Sequence, residues 1–235
     1  MRNLVVIAAA LLSLTLPSSV AAQDFDRGLI AYIDGDYPTA LREFRLAAEQ
    51  GDVFAQYNLG MIYYNDEGVP QNYAEAARWF RLAAEQGLAS AQFNLGVMYY
   101  NGQGLPQNYA EAASLYRLAA EQGDAEAQYN LGQMYYKGEG FPQNYAEAAR
   151  LYRLAAEQGL AAAQYNLGVI YYNGQGFPQN HQFAYMWFSL AAAKGDEGAA
   201  SARDRAAGRM TREQIARAQQ LASECLARDY QGCAQ

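Results

Sequence analysis

Apolar and polar positions recur along this chain with a fixed step. The string Ala-Gln-aromatic-Asn-Leu-Gly begins at Ala55, Ala91, Ala127 and Ala163. A Tyr-Tyr pair follows at 63–64, 99–100, 135–136 and 171–172, and Pro-Gln-Asn follows at Pro70, Pro106, Pro142 and Pro178. Gly51, Gly87, Gly123, Gly159 and Gly195 close the blocks. The step from each copy to the next is 36 residues. A constant period of this length marks stacked repeats, each burying its apolar face against its neighbours. Four full units occupy residues 52–195, as 52–87, 88–123, 124–159 and 160–195.

Each unit predicts two helices. In the first, Ala55, Leu59 and Tyr63 fall at i, i+4 and i+8, a single apolar stripe. Gly60 lies in the same helix, where glycine costs about 1 kcal/mol relative to alanine; its recurrence predicts close backbone packing. Asn65 to Pro70 form a turn, and Asn72, Asn108 and Asn144 then suit the N-cap of a second helix. Glu75, Glu111 and Glu147 stand three residues on and predict a capping box. Ala76, Phe80 and Ala83 give the second helix its inward face, and Gly87 stops it. Arg45–Glu49, Arg81–Glu85, Arg117–Glu121 and Arg153–Glu157 are spaced for i, i+4 ion pairs on the solvated side of these helices.

The two ends depart from the pattern. Residues 23–51 read as a shortened first repeat, in which Asp34-Gly35-Asp36 makes a tighter turn and Pro38 opens the second helix. Residues 196–235 read as a C-terminal helical cap and tail. Arg203 and Asp204 stand where Leu and Gly would fall, and Thr211 to Gln214 form a second capping box before a helix reaching about Arg228. Ile215, Ala218 and Leu221 give that helix a stripe able to close the stack. Phe183, Tyr185 and Trp187 widen the apolar face of the last full repeat, as an adaptation to the cap.

Residues 1–22 carry the marks of a secretory signal peptide. Arg2 precedes the uncharged apolar stretch Leu4 to Leu16, Pro17 breaks it, and Val20-Ala21-Ala22 offers small residues for cleavage after Ala22. The stretch is short for a membrane span, which needs roughly 20 apolar residues. The expected location of the mature chain is therefore periplasmic or secreted, with no membrane span. Removing the leader takes the net charge from -7 to -8, since Arg2 is its only charged residue. An acidic chain with lysine only at Lys137 and Lys194 is poorly suited to binding nucleic acid through phosphates. Cys225 and Cys233 are the only cysteines. In an oxidising compartment they could pair, a short loop gaining about 2–3 kcal/mol; two free thiols on a frayed tail are the other reading.

The repeat resembles the Sel1-like family, relatives of the tetratricopeptide repeat, through Ala55, Leu59, Gly60, Tyr63, Gly68, Ala76, Ala77, Ala83, Gly87 and their shifted copies. The resemblance implies an all-α fold, a right-handed α-α superhelical solenoid of helix pairs. It also implies an adaptor role, common in bacterial envelope and signalling pathways. Some secreted relatives carry a disulfide in each repeat and have been linked to penicillin binding. This chain lacks those cysteines, which bears against carrying that role over.

Motifs for chemistry are sparse. His181 is the single histidine and sits where Tyr73, Tyr109 and Tyr145 stand in other repeats. No three-ligand zinc set, HExxH or Ser-x-x-Lys is present. Glycine pairs such as Gly102 and Gly104 read as turn residues, because no strand precedes them as a phosphate loop requires. No enzyme activity, cofactor or metal is expected. The expected function is a non-enzymatic scaffold or regulator in the cell envelope, binding a peptide or protein segment along the concave face; the alternative is a cell-wall-directed enzyme or penicillin-binding protein. The expected groove positions are Tyr57, Asn58, Met61 and Tyr64; Phe93, Asn94, Val97 and Tyr100; Tyr129, Asn130, Gln133 and Tyr136; and Tyr165, Asn166, Val169 and Tyr172. The tetratricopeptide resemblance places the asparagines to bond a ligand backbone. The tyrosines suit either capture of a ligand or packing between repeats. Variation at position 61 and its copies, and at Phe54, Ser90, Glu126 and Ala162, is where specificity could be written.

Overall fold

The computed structural model describes residues 20–233, so residues 1–19 of the predicted leader lie outside it. The predicted cleavage point after Ala22 falls in the first turn of the first described helix, α1 (Val20–Ile33). Among the described residues every regular element is helical. The described residues divide into two compact units, residues 20–115 and 116–233.

Unit 1 contains α1, α2 (Tyr37–Glu49), α3 (Val53–Asn65), α4 (Tyr73–Glu85), α5 (Ala89–Asn101) and the start of α6 (Tyr109–Glu121). Each helix from α1 to α4 packs on the next. Phe44 of α2 is wholly buried with Leu59 and Ile62 of α3, and Phe80 of α4 with Leu95 and Met98 of α5. The predicted close packing at Gly60 has a definite partner: a Cβ there would lie 2.5 Å from the Phe80 ring. Gly28 meets Phe44 in the same way, which aligns α1 with α3.

Unit 2 contains the rest of α6, then α7 (Ala125–Lys137), α8 (Tyr145–Glu157), α9 (Ala161–Asn173), α10 (His181–Ala192), α11 (Glu197–Ala207) and α12 (Arg212–Ala227). Gly132 against Tyr152 and Gly168 against Phe188 repeat the close approach. Helix α10 packs on α9, α11 and α12. Its widened face supplies Trp187, wholly buried, together with Tyr185 and Phe188.

The helix ends follow from local chemistry. Asp52 and Asp124 accept hydrogen bonds from Ala55 N and Ala127 N, each at 2.8 Å, satisfying donors that a helix start leaves open. The first helices end in a left-handed residue, with φ 61° at Asp66 and 69° at Gly102. Asn72 and Asn144 cap α4 and α8 as expected, but the box is only half made. Glu75 and Glu147 turn to Arg78 and Arg150 instead of reaching back. The full reciprocal box appears at Thr211 and Gln214.

A second expectation is also corrected. Arg45, Arg81, Arg117 and Arg153 do not make the i, i+4 ion pairs that their spacing suggests. Each donates to a tyrosine hydroxyl of the next first helix: Tyr63, Tyr99, Tyr135 and Tyr171, at 2.8, 3.2, 3.4 and 2.6 Å. An exposed ion pair gains little in water, whereas the phenol offers an acceptor already fixed by packing.

Buried glutamines stitch the repeats together. Gln56, Gln92, Gln128 and Gln164 are nearly inaccessible, and their side-chain amides donate to Ala48 O, Ala84 O, Ala120 O and Ala156 O of the preceding second helix. The other amide atom is used as well: Gln86 donates to Gln56 at 2.8 Å and Gln158 to Gln128 at 2.9 Å.

Candidate protein-binding face

The predicted groove positions lie on the first helices but do not behave alike. Tyr57, Asn58 and Met61 are buried, and the other thirteen are half-buried. The aromatic members rest on the second helix of their own repeat. Tyr57 meets Phe80 at 5.7 Å, Tyr129 meets Tyr152 at 5.8 Å and Tyr165 meets Phe188 at 5.6 Å. Tyr64, Tyr100 and Tyr136 pack on Tyr73, Tyr109 and Tyr145 at 5.2–5.3 Å. Tyr172 stacks instead on His181 at 5.2 Å, and the His181 Nδ1 is buried without a partner. Burial also pushes the Tyr152 hydroxyl well above the ordinary phenol range, with Tyr129 and Tyr136 adding to it.

Several polar groups on this face are already committed to the next repeat. Asn94 Nδ2 donates to the Tyr57 hydroxyl at 3.2 Å and contacts Met61 Sδ at 3.7 Å. Asn166 Nδ2 repeats the contact with Tyr129 at 3.4 Å, and Gln133 donates to the same hydroxyl at 2.5 Å. The Tyr64 and Tyr136 hydroxyls donate to Gln103 and Gln175 at 3.3 and 3.2 Å. Asn58 has neither amide atom partnered. Its place against a tyrosine is missing because α1 carries Phe25 where α3 carries Tyr57, and phenylalanine has no hydroxyl. Asn94 and Asn166 therefore join repeats to one another, a use that the spacing alone did not reveal.

In unit 2 this face opens into two adjoining cavities that share Tyr165 and Val169. One, of about 500 Å³, lies among residues that include Tyr129, Gln133, Tyr136, Asn166 and Ala162. The other, of about 220 Å³, lies among Tyr165, Val169, Tyr172, Phe188, Ala202 and Arg205. Lys137 and Asp196 edge the larger one. Lys137 stands 3.8 Å from Glu139, and Asp196 caps α11 through Ala199 N. Among the variable positions, Ala162 lines the larger cavity, and Phe54 packs 6.3 Å from Phe25. The Glu126 carboxyl is raised above its ordinary value by partial burial and by the neighbouring Asp124.

Two site features were missed or left open by the sequence. The glutamine ladder was visible as a second glutamine recurring 30 residues after each buried one, at Gln86, Gln122 and Gln158, and replaced by Lys194 in the last repeat. Cys225 and Cys233 form a disulfide, with Cα atoms 5.3 Å apart. It holds the turn after α12, where Gln231 donates to Glu157 O at 3.1 Å and Lys194 stands over the Tyr230 ring at 4.7 Å. Among the described residues there is no group of three side chains suited to holding a metal, and no helix long and apolar enough to cross a membrane.

The model of the Sel1 repeat matches at residues 25–52, 53–88, 89–124, 125–160 and 161–196. Three solved structures are similar. One is c5321, described as a protective antigen present in uropathogenic Escherichia coli strains displaying an SLR fold. It is 33% identical with a TM-score of 0.80, covering 89% of this chain and 47% of its own. This chain thus spans about half the length of that protein. A Sel1 repeat protein from Oxalobacter formigenes is 36% identical with a TM-score of 0.70, over 74% of this chain and 72% of its own. A putative Sel1 repeat protein from Klebsiella pneumoniae is 25% identical with a TM-score of 0.50, over 80% of this chain and 93% of its own. No curated protein sequence matches. The helices share the repeat solenoid fold of these structures, and Sel1 repeat proteins are generally protein-interaction scaffolds. With five matched repeats and relatives at this identity, the chain belongs to the Sel1 repeat family.

Proposed function

We propose that this protein is a non-enzymatic adaptor of the bacterial cell envelope that holds an extended peptide or protein segment on the first-helix face of unit 2. The observation that carries the reading is the pair of adjoining cavities meeting at Tyr165 and Val169. Their walls combine half-buried aromatic rings with amide and hydroxyl groups, the mixture that captures peptides with low entropy cost. The envelope location rests on the leader pattern of residues 1–22 and on the Cys225–Cys233 disulfide, which suits an oxidising compartment. Nothing in the geometry favours the cell-wall enzyme.

The test is photo-crosslinking in cells that export the protein. A photoreactive residue replaces Val169 in one variant and the exposed Leu118 of α6 in another. The reading expects a discrete protein adduct at position 169 in the periplasmic or secreted fraction and none at 118. Adducts at 118 alone would refute the face, and an uncleaved chain retained in the cytoplasm would refute the location.

A further inference from the structure

The hydroxyls of Tyr57, Tyr64, Tyr129 and Tyr136 in the earlier first helices are engaged by neighbouring side chains. Asparagine recurs at Asn58, Asn94, Asn130 and Asn166, meeting a tyrosine of the preceding repeat at Asn94 and Asn166 and facing the places of Phe25 and Phe93 at the other two, and the next place in that series is Ala202. The Tyr57 and Tyr129 hydroxyls are engaged by Asn94 and Asn166. The Tyr165 hydroxyl, one repeat on, faces an alanine and has no partner among the described residues. A second release accompanies the first. Tyr64 and Tyr136 donate to a loop glutamine 39 residues ahead, but that place for Tyr172 is Thr211, whose hydroxyl is held in the capping box with Gln214 N at 3.3 Å. The Tyr172 hydroxyl is therefore also free among the described residues. Both rings line the cavity of about 220 Å³, whose remaining wall is Val169, Asn173, Phe188, Ala202 and Arg205. Arg205 takes the place of the variable position 61 and has no ion-pair or hydrogen-bond partner among the described residues.

We propose that this terminal cavity is a carboxylate site, and that it takes an acidic side chain of the segment held on the first-helix face. The inference rests on the peptide-holding reading given above. A single guanidinium matches a single negative charge, and its fork geometry suits a planar carboxylate. Two phenol hydroxyls supply further donors, and Val169, Phe188 and Ala202 give an apolar bed for the methylene groups that lead to the acid. Val169 and Tyr165 carry the bound segment onward into the larger cavity.

The experiment titrates three small probes into the full exported chain and follows the ring resonances of Tyr165 and Tyr172. N-acetyl-glutamate N-methylamide carries only a side-chain carboxylate, the matching glutamine compound is its neutral twin, and N-acetyl-alanine carries only a terminal carboxylate. Saturable shifts are expected with the glutamate compound at millimolar concentration, at least about tenfold weaker with the glutamine compound, and weakened by added salt. Arg205→Gln should weaken the glutamate compound about tenfold, and Tyr165→Phe with Tyr172→Phe several-fold, with thermal melting unchanged for Arg205→Gln. Equal titration by the glutamate and glutamine compounds, or no loss in Arg205→Gln, overturns the site. Binding of N-acetyl-alanine in place of the glutamate compound overturns the side-chain assignment. A chain that crosslinks its partner through position 169 yet shows no carboxylate preference refutes this inference and leaves the adaptor reading standing.

Discussion

Tyr57 of α3 and Tyr165 of α9 hold the same place in their repeats, and their hydroxyls have opposite fates. Tyr57 is engaged by Asn94, whereas Tyr165 looks onto Ala202. The buried glutamines show the same divide. Gln128 uses both amide atoms, on Ala120 O and on Gln158, while Gln164 keeps only its bond to Ala156 O and leaves its oxygen unpartnered. Lys194 stands where Gln158 would recur, and it donates to Gly159 O instead. An interior repeat thus satisfies its polar groups with its successor. The last repeat has no such successor, so α10 to α12 close it with apolar area and a disulfide, and leave hydroxyls available to a ligand.

The apolar part of that closure should give the largest effect. Trp187 is wholly buried between α9 and the cap. Trp187→Ala is expected to cost about 3–5 kcal/mol. Denaturant unfolding combined with hydrogen exchange would detect the loss, with protection falling in α9 to α12 while α3 and α4 keep theirs. Equal loss in both regions would show that the C-terminal end is no more than another repeat.

The disulfide comes next. Cys225→Ser with Cys233→Ser should lower stability by about 2–3 kcal/mol, the gain expected for a short closed loop. The matching local readout is exchange at Tyr230 to Cys233, where the chain returns to Glu157. A melting temperature unchanged by the double substitution would make the bond incidental to the cap.

The glutamine ladder allows a finer comparison. Gln128→Ala removes two hydrogen bonds and Gln164→Ala removes one. Ala120 O and Ala156 O keep their bonds from Gly123 N and Gly159 N, so each lost bond costs about 0.5–1.5 kcal/mol. The substitution at 128 should exceed that at 164 by about 0.5–1.5 kcal/mol. Equal costs would mean that the bond from Gln158 contributes nothing.

Most of the architecture was legible because repetition multiplies weak signals. One Leu59 or Gly60 says little, but four copies at a fixed step identify a stripe and a close approach, and Phe80 against Gly60 bears that physics out. Side-chain partners were less legible. Arg45 and Glu49 have helical spacing for an ion pair, yet the guanidinium goes to Tyr63 on another helix, because sequence periodicity describes one helix at a time. The groove positions were limited in the same way. Asn94 and Tyr57 looked like two surface residues, and their bond spans 37 residues across the contact between α3 and α5. Residues 1–19 of the leader lie outside the described residues.

Glu126 offers the smallest and most selective test of the comparison, because the same place in α9 is Ala162 and carries no charge. Partial burial and Asp124 raise its folded pKa. A carboxyl raised on folding contributes its stability below the unfolded value, and that contribution is lost as pH rises through the folded value. At neutral pH the charged Glu126 therefore opposes folding. Glu126→Gln should raise stability at pH 7 by less than about 0.5 kcal/mol, as suits a substitution at the surface, and should flatten the fall in stability on the alkaline side of the ordinary glutamate pKa. Ala162→Gln, which removes no charge, should leave the slope of stability against pH unchanged. Denaturation midpoints at closely spaced pH values for both variants would decide it. A stability profile for Glu126→Gln that runs parallel to the parent's would mean that Asp124 and Glu126 ionise independently, and that this stretch of the face carries no electrostatic strain.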